Sequence, residues 1–155
     1  MIRIMFVCHG NICRSPMAEF IFKKMIREKG IEESFFVSSS ATSTEEIWNG
    51  IGNPVYPPAR DELIKHGIEC KGKRAVQLQK SNYGEYDLFI GMDSANIRNM
   101  HRIFGADPSN KIRKLMDYAG GGDVADPWYS GRFDITYDHV CRGCKALLTE
   151  LENEI

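Results

Sequence analysis

The chain has 155 residues, a formal net charge of -1, and hydrophobic and charged shares of 43% and 26%. These values exclude a disordered chain and a globally basic binder of nucleic acid or anionic membrane, so any anion site must be local. One domain over residues 1–155 is expected, because two halves would each bury too little apolar surface.

No run approaches the roughly 18 apolar residues of a membrane span, and Met1 to Val7 is too short for a signal peptide. Five cysteines (Cys8, Cys13, Cys70, Cys141 and Cys144) are an odd number in a chain too large to need disulfide staples. A cytoplasmic protein, with thiol chemistry available to it, is the expectation.

In chain order, Ile2 to Val7 is a short apolar run that ends in the turn-forming His9-Gly10-Asn11, the pattern of a buried strand. From Ser15 the signals are helical: Ser15 suits a cap, Pro16 the first helical position, and Met17, Phe20, Ile21, Lys24, Met25 and Glu28 recur every three or four residues up to Gly30. Phe35 to Ser38 reads as a second strand, Ser39 to Pro58 as a long surface loop, and Ala59 to His66 as a helix stopped by Gly67. Asp87 to Met92 is a third strand, and Asp93 or Ser94 caps a helix reaching about Phe104. Lys111 to Met116 is the last strand candidate, with charges that suit an edge. Asp117 to Gly131 is a second Gly/Pro-rich loop. The final helix, from about Asp134, puts Tyr137, Val140, Cys141, Cys144, Leu147, Leu148 and Leu151 on one face. The alternation predicts an α/β fold: a single-domain three-layer sandwich, with a central four-stranded parallel sheet flanked by helices and its ligand crevice at the carboxyl ends of the strands.

The segment Cys8-His9-Gly10-Asn11-Ile12-Cys13-Arg14 joins the first strand to the first helix, and Gly10 and Asn11 are its best candidates for positive φ. Such a turn aims successive backbone NH groups inward, and the following helix adds its positive end, so the loop is a cradle for a phosphate-sized anion. Cys8 stands in the same field, where the amides, the helix end and Arg14 stabilise the ionised thiol, so a thiolate is expected at neutral pH. Arg14 adds a planar donor fork whose contacts can tighten as a transferring phosphoryl group flattens.

The run Val7-Cys8-x-Gly10-Asn11-Ile12-Cys13-Arg14-Ser15-Pro16 resembles the phosphate loop of the low-molecular-weight protein tyrosine phosphatases. The resemblance continues through Ser39-Ser40-Ala41-Thr42, Trp48-Asn49, His66-Gly67-Ile68, Met92-Asp93 and Asp126-Pro127-Trp128, and so covers nearly the whole chain in order. It implies hydrolysis of a phosphotyrosine-containing protein or small aryl phosphate through a cysteinyl-phosphate, with inorganic phosphate as product. It implies no cofactor, no metal, no nucleic acid and no membrane partner. Cys8 is then the nucleophile, and the backbone of His9, Gly10, Asn11, Ile12, Cys13 and Arg14 the phosphate cradle. Ser15, Ser39 and His66 match the residues that support Asn11 in the family.

Cleavage also needs a general acid for the leaving oxygen. Asp126 lies in the mobile-looking Gly120-Gly121-Gly122-Asp123-Val124-Ala125-Asp126-Pro127, where on residues alone Asp123 competes with it. The family's Asp-Pro pair assigns the role to Asp126. Asp93 is a helix cap by default, with a less defined family role near the site.

Trp48, Trp128 and Tyr129 are the expected walls of a slot deep enough for an aryl phosphate, and with Ile12 they are the expected substrate-specificity residues. Family members usually carry tyrosine where Trp128 stands, which bears on fine substrate preference. His9 lies at the rim, in a position that varies across the family. Cys13 is placed to capture an oxidised Cys8 as a reversible disulfide.

Cys141-Arg142-Gly143-Cys144 has redox or half-zinc spacing but sits inside an amphipathic helix with no second ligand pair, so core packing is expected. Arsenate reductases of related fold relay oxidation through cysteines past mid-chain, and residues 71 to 140 contain none. Arginine phosphatases carry a threonine at the position of Ile12, so Ile12 favours tyrosine. A phosphate sensor would use the cradle and Arg14 without needing Cys8 or Asp126.

Overall fold

The computed structural model describes all residues, 1–155. Four parallel strands form the central sheet in the order β2-β1-β5-β6, where β1 is Ile2–Cys8, β2 Phe35–Ala41, β5 Leu88–Gly91 and β6 Ile112–Lys114. Strand β1 is central because Ile4, Met5, Phe6 and Val7 are all buried, as an apolar run covered on both faces must be. Its side chains alternate between two cores. Ile4, Phe6 and Cys8 face the larger one, which α1 (Arg14–Glu28), α2 (Pro57–Lys65) and α5 (Phe133–Leu151) cover with residues such as Met17, Phe22, Leu63, Val140, Cys144 and Leu148. Met5 and Val7 face the smaller core, closed by Met100 and Phe104 of α3 (Ser94–Phe104) together with Phe89 and Ile112.

From β1 the chain winds to β2 on one side and later to β5 on the other, so the strand order reverses at the carboxyl end of β1. In open α/β sheets that reversal opens a crevice, and Cys8 is the residue at its floor. The four-stranded parallel sheet flanked by helices is therefore present.

Three boundaries differ from the sequence expectation. The stretch from Ser39 to Pro58 is not all loop: β2 continues to Ala41, and a small hairpin follows, with β3 at Ile47–Trp48 and β4 at Ile51–Gly52. Asn49 and Gly50 turn it with φ of 50° and 76°, the Asn-Gly pair that tight hairpins favour. Two-residue strands are too short to show a period. The last strand ends at Lys114, because Leu115 and Met116 turn into a 3₁₀ segment that buries them in the larger core. Within the second loop, Pro127–Ser130 forms a one-turn helix, α4, capped by Asp126 and closed by Gly131 at φ 70°.

Candidate active site

Helix α1 begins at Arg14, and Ser15 is not its cap. The hydroxyl of Ser15 is spent elsewhere, 3.0 Å from Cys8 Sγ, while the backbone NH groups of Asn11 and Ser15 donate to that sulfur at 3.3 and 3.4 Å. These groups converge on one buried atom. The NH groups of His9, Gly10, Ile12 and Cys13 donate to no acceptor within the protein, leaving a concave set of donors beside the thiol. Of the two residues expected at positive φ, only Asn11 adopts it, at 60°. Gly10 lies close to Glu46 instead: a Cβ there would come within 3.2 Å of Glu46 Cγ, and that side chain would have to shift slightly.

Asn11 is 1% exposed and fully engaged. Its Nδ2 donates to Ser15 Oγ at 2.8 Å and Ser39 Oγ at 3.0 Å, and its Oδ1 accepts from the Val76 NH at 3.1 Å. Ser39 in turn donates to the buried carboxylate of Glu19 at 2.6 Å, and its carbonyl accepts from Lys73 Nζ at 3.0 Å. Lys73 also lies 3.8 Å from Glu19, and burial pulls its ammonium below the ordinary lysine value against the pull of that carboxylate. His66 does not join this network, a correction to the carried-over role. Its Nε2 lies 3.1 Å from Glu62 and its ring stacks on Tyr137 at 3.8 Å, because it closes α2 on the side that meets α5. From the chain after His66 it is instead Val76 that reaches Asn11. Glu19 was detectable in the sequence, lying four residues after Ser15 on the same helical face.

Arg14 is 4% exposed. Its Nη1 meets Asp93 Oδ2 at 2.9 Å and the Val124 carbonyl at 3.1 Å, and its Nη2 lies 3.6 Å from Asp126 Oδ2. Burial opposes its charge, but Cys8, Asp93 and Asp126 outweigh burial and raise the guanidinium above the ordinary arginine value. Asp93 does cap α3, accepting from the Asn96 NH at 2.8 Å, so one carboxylate both starts the helix and aligns Arg14. The two candidate acids separate cleanly. Asp126 shares a cavity of about 530 Å³ with Cys8 and Arg14, whereas Asp123 lies outside it, paired with Lys114 at 3.1 Å.

Ile12, Trp128 and Tyr129 line the same cavity, with the Trp128 ring 5.3 Å from Tyr56. Trp48 does not line it: the residue stands 79% exposed on the hairpin. His9 lies at the rim, 3.0 Å from Glu45, and Glu46 also borders the opening. All five cysteines are free. The Cys13 thiol is pushed up to about 12 by burial, then by Cys8 and Asp126, so it holds its proton at neutral pH. Cys144 is buried in the core against α1, in keeping with a packing role.

Residues 3–155 match the family described as low molecular weight phosphotyrosine protein phosphatase. The chain belongs to this family. Its similar relatives include the low molecular weight protein-tyrosine-phosphatase YfkJ of Bacillus subtilis, 35% identical over 99% of this chain and 98% of that one. The crystal structure of YfkJ superposes with a TM-score of 0.92 at 34% identity, covering 99% and 96% of the two chains. The low molecular weight phosphotyrosine protein phosphatase of Mus musculus is 32% identical over 94% of this chain and 92% of its own. YwlE arginine phosphatase, solved as a cysteine-to-serine mutant with a phosphorylated active site serine, is 27% identical, with a TM-score of 0.83 and coverage of 97% and 96%. In this low-molecular-weight phosphatase Asp126 and the Cys8-to-Arg14 loop meet at the crevice formed by the strand order.

Proposed function

We propose that this chain is a protein tyrosine phosphatase that hydrolyses phosphotyrosine and small aryl phosphates through a cysteinyl-phosphate. One observation carries the reading: the thiol of Cys8, the guanidinium of Arg14 and the carboxyl of Asp126 open onto one cavity, beside backbone donors with no protein acceptor. The Cys8 thiolate attacks phosphorus while the loop amides and Arg14 hold the non-bridging oxygens. The P–S bond forms as the P–O bond breaks, and Asp126 gives its proton to the departing aryl oxide. The resulting carboxylate takes a proton from water, which attacks phosphorus, and Cys8 leaves as a thiolate stabilised by Ser15 and the Asn11 and Ser15 amides. Inorganic phosphate is released. No step needs a metal or cofactor, so activity survives a chelator. The reading places the reaction in the cytoplasm, where Cys8 stays reduced.

Ile12, Trp128 and Tyr129 supply apolar walls for an aryl ring, and this supports tyrosine as the leaving group. The likeness to YwlE supports phosphoarginine as the second reading, against which Ile12 stands. Comparing phosphotyrosine and phosphoarginine peptides at equal concentration decides between them. The function is tested by para-nitrophenyl phosphate hydrolysis with the wild type, Cys8→Ser and Asp126→Ala. Loss of turnover in Cys8→Ser and a fall of about 10²–10⁴-fold in Asp126→Ala are expected. Unchanged activity in Cys8→Ser would sink the mechanism.

A further inference from the structure

The residue just before the proposed acid is gripped from both sides by α5. The Ala125 NH donates to His139 Nδ1 at 3.1 Å, and the Ala125 carbonyl accepts from Thr136 Oγ1 at 2.8 Å. Thr136 and His139 are three apart and so share a helix face, and Thr136 is 0% exposed. One residue earlier, the Val124 NH donates to the Met92 carbonyl at 2.9 Å and its carbonyl takes the bond from Arg14. Upstream of these anchors the chain is Gly120-Gly121-Gly122, with φ of 99°, 98° and 95°, a stretch that does little to fix direction by itself. Downstream, Asp126 Oδ1 caps α4 through the Trp128 NH at 3.0 Å, leaving Oδ2 on the side of Arg14. The placement of the carboxyl therefore depends on where Ala125 is held.

We propose that His139, with Thr136, is a positioning residue for general acid catalysis. This rests on the reading of Asp126 as the acid. The imidazole does so as an acceptor: its Nδ1 presents a lone pair to the Ala125 NH, with the ring proton on Nε2. Neither side chain lines the active-site cavity. Their effect on the reaction passes through the position of one carboxyl group, and misplacement of about an ångström is enough to cost a large rate factor.

A displaced acid leaves a distinct kinetic signature. The more basic the departing phenol, the more its expulsion depends on a proton in flight, so the penalty grows along a series from nitrophenyl to phenyl phosphate. The experiment measures kcat/KM, which reports the first chemical step, over such a series for the wild type, His139→Ala, His139→Asn and Thr136→Val, each checked for folding by near-UV circular dichroism. Asn is chosen because its amide oxygen can occupy the place of Nδ1. The expected result is a steeper leaving-group dependence in His139→Ala and Thr136→Val, with about tenfold loss at the phenyl end, and recovery toward the wild-type slope in His139→Asn. Wild-type slopes in both His139→Ala and Thr136→Val, whatever their absolute rates, would overturn the proposal. Asp126→Ala is the reference: if its slope steepens while theirs do not, the clamp fails and the acid stands. If its slope too is that of the wild type, the acid assignment fails and the clamp falls with it.

Discussion

Asn11 Nδ2 reaches Ser39 Oγ at 3.0 Å, tying the phosphate loop to the end of β2 across 28 positions of sequence. The bond matters because Asn11 holds φ at 60°, a conformation that costs a non-glycine residue of order 1 kcal/mol or more unless its surroundings impose it. Replacing Ser39 by Ala removes that donor's partner and also strips Glu19 of its hydroxyl. A stability loss of about 1–3 kcal/mol is expected, with kcat/KM down about tenfold to a hundredfold as the loop amides lose alignment. Urea denaturation and steady-state kinetics on one preparation check both.

Arg14→Lys keeps the charge and discards the fork. Lysine cannot serve Asp93, the Val124 carbonyl and a phosphoryl oxygen together, so turnover is expected to fall by about 10²–10³-fold. Because the charge remains, inhibition by inorganic phosphate should weaken far less than kcat falls. Equal losses in both would show that Arg14 binds phosphate without favouring the transition state.

His66→Ala separates the carried-over role from the observed one. With Glu62 and Tyr137 as its partners, its removal is expected to cost about 1–2 kcal/mol in stability and leave the kinetic constants as they are. A fall in kcat with unchanged stability would put His66 back beside Asn11.

Cys13 gives the pH prediction. Its thiol is raised from 9.0 to about 12, by burial first and then by Cys8 and Asp126. Above pH 9 the unfolded chain releases this proton while the native state keeps it, so the native state binds more protons and stability falls as pH rises. The contribution is complete below about 9 and is lost through about 12. The Cys13→Ala variant should therefore show a shallower alkaline decline in unfolding free energy than the wild type, read from denaturation at successive pH values.

The site was legible where chemistry demands residue types in a fixed order. Cys8, Arg14 and the Asn11 turn stand within seven residues, and the strand, loop and helix around them follow from period and punctuation. Asp126 and Asp123 share one Gly-rich segment, so composition does not separate them; the Asp-Pro pair of the family does, and the structure adds the pairing of Asp123 with Lys114 and the place of Asp126 in the cavity of Cys8. The support of Asn11 expected from His66 rested on its match to the family, and the structure pairs His66 with Glu62 and Tyr137 instead. Val76 reaches Asn11 and Lys73 reaches the Ser39 carbonyl, both from irregular backbone. Trp48 was misplaced because its two-residue strand leaves no pattern from which to infer a direction. Thr136 and His139 gave no signal at all: on a helix they read as ordinary polar positions, and their partner is the backbone of Ala125.

The covalent role of Cys8 is tested most directly by mass spectrometry of enzyme quenched in acid during turnover of an aryl phosphate. A single phosphoryl group on the peptide containing Cys8 is the predicted result, absent from Cys8→Ser treated alike. Turnover with no phosphoryl adduct on Cys8, together with activity retained by Cys8→Ser, would contradict it.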